Sequence, residues 1–111
     1  MSGLTLFGIA TCDTCRKARR ALEDAGQDVT FRDVRAEPLS AAEILRLEAQ
    51  FGDRIVNRAS TTWRNLPEAE RARPTAELLG AHPTLMKRPV IARGEELFLG
   101  WGKDVQAALL A

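Results

Sequence analysis

The chain has 111 residues, of which 45% are hydrophobic and 28% charged, the balance of a compact globular domain rather than of a disordered or fibrous chain. Sixteen Lys and Arg against fifteen Asp and Glu leave a net charge of +1, which argues against a surface built to neutralise nucleic-acid phosphates. All apolar runs are far shorter than the ~20 residues that a membrane-spanning helix needs. We therefore expect one domain over residues 1–111, with no direct nucleic-acid partner and no membrane partner.

The N-terminal residues and the cysteine content indicate the compartment. The first ten residues carry neither a basic leader nor the apolar stretch and cleavage site of a signal peptide. The chain has only two cysteines, Cys12 and Cys15, which are too few and too close together for the disulfide framework of a small secreted protein. We expect a cytoplasmic protein.

The first third of the chain predicts a βαβ unit. Leu4–Ile9 is a short apolar run typical of a strand, and apolar residues recur at helical spacing from Cys12 to Ala25. Gly26 then ends the helix, and Val29–Val34 predicts a second strand. Two strands joined by a helix pair in parallel through a right-handed crossover, so the fold class is α/β.

The middle of the chain predicts helices only. Ser40 and Glu43 have the spacing of a capping box and start a helix that Gly52 ends. From residue 53 to residue 88 there is no strand-like alternation, but Glu68–Arg73 and Thr75–Ala81 each predict a short helix. We therefore expect a helical insertion over about residues 38–86.

The last part of the chain predicts a hairpin and a helix. Pro89–Ala92 and Leu97–Leu99 are apolar stretches on either side of a turn that contains Gly94, as an antiparallel hairpin requires. Lys103–Ala111 has apolar residues on one helical face. Together these elements predict a thioredoxin-like fold, a mixed four-stranded sheet with the helical insertion between its βαβ and ββα halves.

The chemistry-bearing motif is the pair Cys12 and Cys15. A thiol attacks as its thiolate, and Cys12 lies at the expected start of a helix, where unpaired N–H groups and the helix dipole favour an anion. Arg16, Lys17, Arg19 and Arg20 follow on the same helix. Cys15 is one turn further on and can close a local disulfide, so Cys12 is the predicted nucleophile and Cys15 the predicted resolving cysteine.

Alternative interpretations of this motif are less favoured. Two cysteines three residues apart form half of a zinc site, but four ligands are needed and only His82 remains, so we expect no metal. The cysteines can also be two incidental core residues. The cation run is by itself most often a solvated helix face. A strand followed by this cysteine pair and a helix favours redox chemistry.

Two further segments carry groups that suit an anion. Asn57–Arg64 contains two guanidiniums, an amide and three hydroxyls, which can grip an oxyanion or a carboxylate. The alternative is a capped helix start, with Ser60 or Thr61 as N-cap and Trp63 in the core, and both interpretations can hold together. Arg88 stands directly before Pro89, where a strand opens and a cis bond is affordable. His82 is more typical of a helix end than of a catalyst.

These motifs together resemble the ArsC family over almost the whole chain. The matching segments, in order, are Cys12–Arg19, Asn57–Arg64 and His82–Pro89. This family includes arsenate reductases that depend on glutathione and glutaredoxin, small YffB-type proteins proposed as glutathione-dependent thiol reductases, and Spx-type regulators that bind RNA polymerase. The resemblance implies a thioredoxin-like fold with a helical insertion.

The resemblance also implies roles for individual residues. Cys12 matches the catalytic cysteine, Arg58 and Arg88 match two oxyanion-binding arginines, and Pro89 matches the cis-proline beside the active site. Arsenate reductases of this family carry a third arginine where this chain reads Phe98–Trp101. Losing one charge-assisted contact to a buried oxyanion costs ~1.5–3 kcal/mol. Arsenate reduction is therefore a less favoured function than thiol–disulfide exchange.

The resulting expectation is a thiol–disulfide oxidoreductase that uses a Cys12 thiolate. Glutathione is the expected co-substrate, no cofactor is expected to be tightly bound, and the substrate is a small disulfide or oxyanion, with glutaredoxin as a further partner. One alternative is a redox-sensing regulator of the Spx type, in which a disulfide between Cys12 and Cys15 switches an RNA polymerase contact. The other alternative is a glutaredoxin-coupled arsenate reductase.

Overall fold

A computed structural model describes residues 3–110. The chain divides into two compact units: residues up to Asp33 together with those from Arg88 onward form the first, and Val34–Lys87 form the second. The second unit contains the stretch predicted as the helical insertion. The expectation of a single domain stays a prediction.

The first unit contains a four-stranded sheet. Its strands are β1 (Gly3–Gly8), β2 (Asp28–Asp33), β3 (Val90–Arg93) and β4 (Glu96–Leu99), in the order β2-β1-β3-β4. β1 is parallel to β2 and antiparallel to β3, and β3 is antiparallel to β4. The predicted mixed four-stranded sheet is therefore confirmed, with strand ends displaced by about one residue.

Helices α1 (Asp13–Asp24) and α6 (Lys103–Leu110) complete the first unit. The apolar stripe of α1 is buried, as its helical spacing predicted. Ala111, the last residue predicted for the C-terminal helix, lies outside the described residues. One core cluster holds this unit together: Leu4, Leu6, Cys15, Ala18, Leu22, Ile91, Val105 and Leu109.

The hairpin between β3 and β4 turns through two residues, Gly94 and Glu95. The φ angle of Gly94 is +61°, in the left-handed region where a side chain is disfavoured. A glycine at this position is what a two-residue hairpin turn requires, so the predicted antiparallel ending follows from local chemistry.

The second unit is helical. Its α-helices are α2 (Ala41–Phe51), α3 (Thr61–Arg64), α4 (Glu68–Arg71) and α5 (Thr75–Ala81), and two 3₁₀ helices cover Gly52–Ile55 and Pro83–Leu85. The capping box at the start of α2 is present: Ser40 Oγ accepts from the Glu43 N–H at 3.1 Å, and Glu43 accepts from the Ser40 N–H at 2.8 Å. Helix α4 ends at Arg71 rather than at the predicted Arg73, because the residue before Pro74 is disfavoured in a helix.

Backbone contacts join the two ends of the second unit. Val56 and Met86 form an isolated antiparallel bridge, and the Asn57 N–H donates to the Leu85 carbonyl at 2.8 Å. The Lys87 N–H donates to the Ile55 carbonyl at 2.7 Å. The backbone contacts are accompanied by apolar packing, since four residues around them are buried: Ile55, Val56, Leu85 and Met86.

Candidate active site

Cys12 is the N-cap residue of α1. Its backbone is extended (φ −83°, ψ 119°), and its carbonyl accepts the first helical hydrogen bond from the Arg16 N–H at 3.0 Å. Its own N–H donates to the Ile9 carbonyl at 2.9 Å, and the residue is partly exposed. The Cys12 sulfur is thus at the position where a helix start presents unpaired N–H groups, as the sequence predicted.

The loop between β1 and Cys12 is tied to the end of β2. The Ala10 N–H donates to Asp33 Oδ2 at 3.0 Å. Gly8 and Asp33 are paired residues of the parallel strands, so the two strands end side by side. This contact fixes the segment that carries Cys12. It was not predicted from the sequence because it depends on strand register.

Cys15 is fully buried in the core cluster of the first unit. It is at the third position of α1, on the face that also buries Ala18 and Leu22. Both cysteines are thiols rather than a disulfide. One cysteine is therefore accessible and the other is enclosed, although they are one helical turn apart.

The pKa of the Cys12 thiol lies below its ordinary value of 9.0. Burial alone raises this pKa, but the backbone N–H and the thiol of Cys15, together with the Arg88 guanidinium, outweigh burial. Each of these groups donates towards the Cys12 sulfur, and Arg88 adds its positive charge. The surroundings therefore favour a Cys12 thiolate.

The pKa of the Cys15 thiol is raised to about 12. Burial is the largest cause, and the neighbouring Cys12 sulfur with its negative charge adds to it. The Ile9 N–H and the charge of Arg88 act in the opposite direction without reversing the shift. The two thiols of the pair thus differ sharply: Cys12 ionises first and Cys15 keeps its proton.

Arg88 and Pro89 lie at the start of β3. The peptide bond between them is cis, as the family resemblance implies. Pro89 is fully buried, and its carbonyl accepts from the Gly100 N–H at 2.8 Å. Because β3 is the antiparallel neighbour of β1, this segment lies beside the end of β1, and Arg88 contacts the Cys12 sulfur.

The cations of α1 are exposed and partly paired. Arg16 forms an ion pair with Asp13, and Arg19 lies 3.4 Å from Glu23 and over the ring of Phe31. The sequence suggested this helix as the source of positive charge for Cys12. The groups that lower the Cys12 pKa are instead Cys15 and Arg88, which lies just before the neighbouring strand β3.

Arg58 belongs to the second unit. Its guanidinium lies 3.6 Å from Asp53 Oδ2 and over the Trp63 ring at 5.2 Å. Ser60 is the N-cap of α3 and accepts from the Trp63 N–H at 3.1 Å, so the capped helix start weighed for this segment is confirmed. Trp63 is only half-buried, so the expectation that it lies in the core is wrong: it is stacked under Arg58 instead.

The first unit therefore brings together Cys12, Cys15, Arg88 and Pro89, and the second unit holds Arg58. The roles assigned to all five residues stay predictions. No group of three or more His, Cys, Asp and Glu side chains with the arrangement of a metal site occurs among residues 3–110. Within the same range, no helix is long and apolar enough to cross a membrane.

His82 is the C-cap of α5, at a helix end as its sequence context indicated. Its Nε2 lies 2.9 Å from Glu70 Oε2, and Arg73 donates to the same carboxylate at 2.9 Å. Interaction with His82, followed by that with Arg73, holds the pKa of Glu70 below its ordinary value. This cluster was not predicted from the sequence, since nothing in the spacing of the three residues indicates it.

The sheet order and the cysteine pair at the start of α1 define a small thioredoxin-like thiol protein. A model of the ArsC family matches residues 7–109, and the chain belongs to that family. The resemblance inferred from the cysteine, arginine and proline motifs is therefore confirmed.

Individual relatives cover nearly the whole chain. An uncharacterised protein of Haemophilus influenzae is 39% identical, over 95% of this chain and 97% of that protein. The global transcriptional regulator Spx of Bacillus subtilis is 32% identical, over 91% of this chain and 82% of Spx.

Two solved structures are similar in both sequence and fold. A YffB protein is 36% identical with a TM-score of 0.89, covering 97% of this chain and 99% of that one. A protein of Brucella melitensis described as related to arsenate reductase (ArsC) is 39% identical with a TM-score of 0.75, covering 95% and 92%. The fold predicted from the sequence is thus the fold of this family.

Proposed function

We propose that the protein is a thiol–disulfide oxidoreductase in which Cys12 is the nucleophile, Cys15 the resolving cysteine and glutathione the reductant. One observation carries the proposal: the pKa of Cys12 is lowered while that of Cys15, one turn away, is raised to about 12. In such a pair Cys12 ionises before Cys15, which is the order of ionisation that a disulfide reductase with a nucleophilic and a resolving cysteine needs.

In the first step the Cys12 thiolate attacks one sulfur of the substrate disulfide. A bond forms between that sulfur and the Cys12 sulfur, the substrate S–S bond breaks, and the other half of the substrate leaves as a thiolate that takes a proton from solvent. Arg88 stabilises the thiolate before attack. The partial exposure of Cys12 gives the substrate access.

In the second step Cys15 resolves the mixed disulfide. Formation of the mixed disulfide removes the negative charge of Cys12, which is one of the causes that raise the Cys15 pKa. The lowering effects of Arg88 and the Ile9 N–H remain, so Cys15 loses its proton more readily at the moment when it is needed. Its thiolate attacks the Cys12 sulfur, a Cys12–Cys15 disulfide forms, and the bound half of the substrate leaves as a thiol.

Glutathione then restores the dithiol. One glutathione thiolate attacks the Cys12 sulfur and releases Cys15, a second attacks the resulting mixed disulfide, and oxidised glutathione leaves. The balance is one substrate disulfide and two glutathione molecules giving two thiols and one glutathione disulfide. Glutathione carries two carboxylates, and Arg88, beside the Cys12 sulfur, is the side chain of the first unit proposed to bind one of them. Arg58 stays a predicted anion-binding residue of the second unit.

A glutathione-coupled assay with a small disulfide, followed through NADPH and glutathione reductase, tests the proposal. Replacing the nucleophile (Cys12→Ser) should lower turnover by roughly 10³-fold or more, because the serine hydroxyl is not ionised at neutral pH. Thr14→Ser, an exposed change on the same helix turn, serves as the control and should leave turnover unchanged. Undiminished turnover in the Cys12→Ser variant would reject the assignment.

Redox sensing is the second candidate function. It is favoured by the 32% identity with Spx over 91% of this chain, and by the cysteine pair, which can form a local disulfide. In this function the Cys12–Cys15 disulfide changes the affinity for RNA polymerase instead of turning over substrate. A pull-down with the C-terminal domain of the polymerase α-subunit, in reduced and oxidised states, tests it, and no retention in either state removes it.

Arsenate reduction with glutaredoxin as electron donor is the remaining candidate, favoured by the 39% identity with the ArsC-related protein of Brucella melitensis. The family resemblance puts the third arginine of arsenate reductases within Phe98–Trp101 of this chain, a segment that begins at the end of strand β4. Phe98 instead stacks against Arg93 at 5.2 Å. Arsenite release in the presence of glutathione and glutaredoxin decides this question.

A further inference from the structure

Gly8, the last residue of β1, lies directly against the buried cysteine. A Cβ atom built on Gly8 would lie 2.5 Å from the Cys15 Sγ, 3.1 Å from the Cys15 Cβ and 3.3 Å from a methyl carbon of Leu6. Optimal contacts between non-bonded carbon atoms are about 3.5–4.0 Å, so the first distance is a severe overlap. The Cys15 sulfur therefore occupies space that the side chain of any other residue at position 8 would fill.

The backbone of Gly8 does not itself demand a glycine. The described glycines with positive φ are Gly26, Gly52, Gly94 and Gly100, and Gly8 is not among them. As a strand residue paired with Asp33 of β2, Gly8 has a conformation open to alanine. The steric demand comes from Cys15 and not from backbone geometry.

The surroundings leave the Cys15 sulfur few other places. Cys15 is fully buried, and its core cluster includes Leu6, Ala18 and Leu22, which are also fully buried. The adjacent Ile9 N–H donates towards the sulfur, and the Cys12 sulfur is its neighbour on the accessible side. The end of β1 thus positions the Cys15 sulfur in two ways: Gly8 leaves room for it, and the Ile9 N–H donates a hydrogen bond to it.

We propose that Gly8 is a positioning residue for the resolving cysteine, because its missing side chain forms the space that holds the Cys15 sulfur beside Cys12. This inference deepens the proposed function and rests on it for its role in catalysis. A methyl group at position 8 would displace the sulfur or change its rotamer. The Cys12–Cys15 disulfide would then form less readily, and the donation from the Cys15 thiol to the Cys12 sulfur would be lost.

The test compares Gly8→Ala with Gly3→Ala, a matched control in the same strand, since a Cβ on Gly3 meets nothing within 4 Å. Both changes are made in the natural chain and together with Cys15→Ala. The readouts are the equilibrium between the Cys12–Cys15 disulfide and a glutathione redox buffer, and the pH dependence of Cys12 alkylation. Both readouts are independent of turnover.

We expect Gly8→Ala to shift the disulfide equilibrium constant towards the dithiol by roughly three- to tenfold, the cost of an off-rotamer side chain. It should also move the alkylation midpoint of Cys12 upward. Gly3→Ala should change neither readout. In the Cys15→Ala background the remaining Cβ contact of 3.1 Å needs only a small shift, and Gly8→Ala should leave Cys12 alkylation unchanged.

Three outcomes overturn the proposal: an unchanged disulfide equilibrium in Gly8→Ala, an equal shift in Gly3→Ala, or an equal alkylation shift with Cys15 already removed. If Gly8→Ala alone does not fold, refolding of the double variant Gly8→Ala/Cys15→Ala supports the proposal, and its failure to fold contradicts it. If the variants show the expected coupling between position 8 and Cys15 but the protein reduces no disulfide, only the proposed function is rejected.

Discussion

Arg88 contacts the Cys12 sulfur although the two residues are far apart in sequence. The contact follows from the sheet: β1 ends just before the loop that carries Cys12, Arg88 comes just before β3, and these strands are antiparallel neighbours with Phe7 opposite Val90. The cation therefore meets the thiol at the edge of the sheet where β1 ends. This contact, rather than the charge run on α1, joins the two halves of the first unit in one chemical site.

Removing this cation should make Cys12 less acidic. Arg88→Gln loses both the hydrogen bond and the charge that lower the Cys12 pKa, so a smaller fraction of Cys12 is ionised at neutral pH. The ultraviolet absorbance of the thiolate, followed during a pH titration, should show a midpoint at higher pH than in the natural protein. Arg88→Lys, which keeps the charge, should lie between the two.

Arg20→Gln is the control for that titration. Arg20 is an exposed cation of α1, and its removal changes the net charge by the same amount. A displacement of the midpoint as large in Arg20→Gln as in Arg88→Gln would mean that net charge and not contact sets the acidity of Cys12. Unfolding midpoints equal to that of the natural protein would exclude a loss of structure as the cause of any displacement.

Replacing the resolving cysteine should trap the intermediate. In Cys15→Ser the first step is intact but no thiol attacks the mixed disulfide internally, so glutathionylated Cys12 accumulates when glutathione disulfide is added. Intact-mass spectrometry should show one glutathione per chain. The Cys12→Ser variant should take up none, and an equal adduct in that variant would show that Cys15 is the attacking cysteine.

Stability should fall in alkali because of Cys15. The folded pKa of this buried thiol is about 12 and its ordinary value is 9.0, so between these values the unfolded chain releases a proton that the folded chain keeps. The stabilising effect is fully present below pH 9, and the free energy of unfolding should decrease as pH rises towards 12, by up to about 1.4 kcal/mol per pH unit. Urea unfolding at several pH values measures this slope.

Cys15→Ala removes the titrating group and provides the comparison. Its free energy of unfolding is lower at neutral pH because a buried sulfur is lost, but its decline above pH 9 should be shallower. Parallel pH curves for the two proteins would contradict the raised pKa of Cys15.

Acid should weaken the second unit through Glu70. His82 and then Arg73 hold the pKa of this carboxyl below 4.5, so its contribution to stability is present above 4.5 and is lost as pH falls through the lower, folded value. Glu70→Gln should flatten the acid limb of the unfolding curve. Glu68→Gln, an exposed carboxylate on the same helix, is the matched control and should leave the acid limb as it is.

The elements that were predicted correctly from the sequence depend on interactions between residues close together in the chain. The apolar stripe of α1, the capping box at Ser40 and the glycine turn at Gly94 each depend on residues within a few positions, and all three are present. The parallel pairing of β1 with β2 followed from the handedness of a βαβ unit. The roles of Cys12 and Arg88 were suggested by motif and by resemblance.

The contacts that the sequence did not predict are long-range. Whether Arg88 contacts Cys12 depends on strand order and register, and the steric demand at Gly8 appears only when α1 is packed on the sheet. The Glu70–His82 contact depends on how α4 and α5 pack, and Trp63 is stacked under Arg58 rather than buried as expected. Each of these contacts is determined by tertiary packing, which the local sequence pattern does not specify.

The most direct test of the account is the pH dependence of the reaction between Cys12 and iodoacetamide in the natural protein, with the modified cysteine identified by peptide mapping. Modification should occur at Cys12 with a midpoint below pH 9.0, while buried Cys15 stays unmodified through the same range. A Cys12 midpoint at or above 9.0, or prior modification of Cys15, would contradict it.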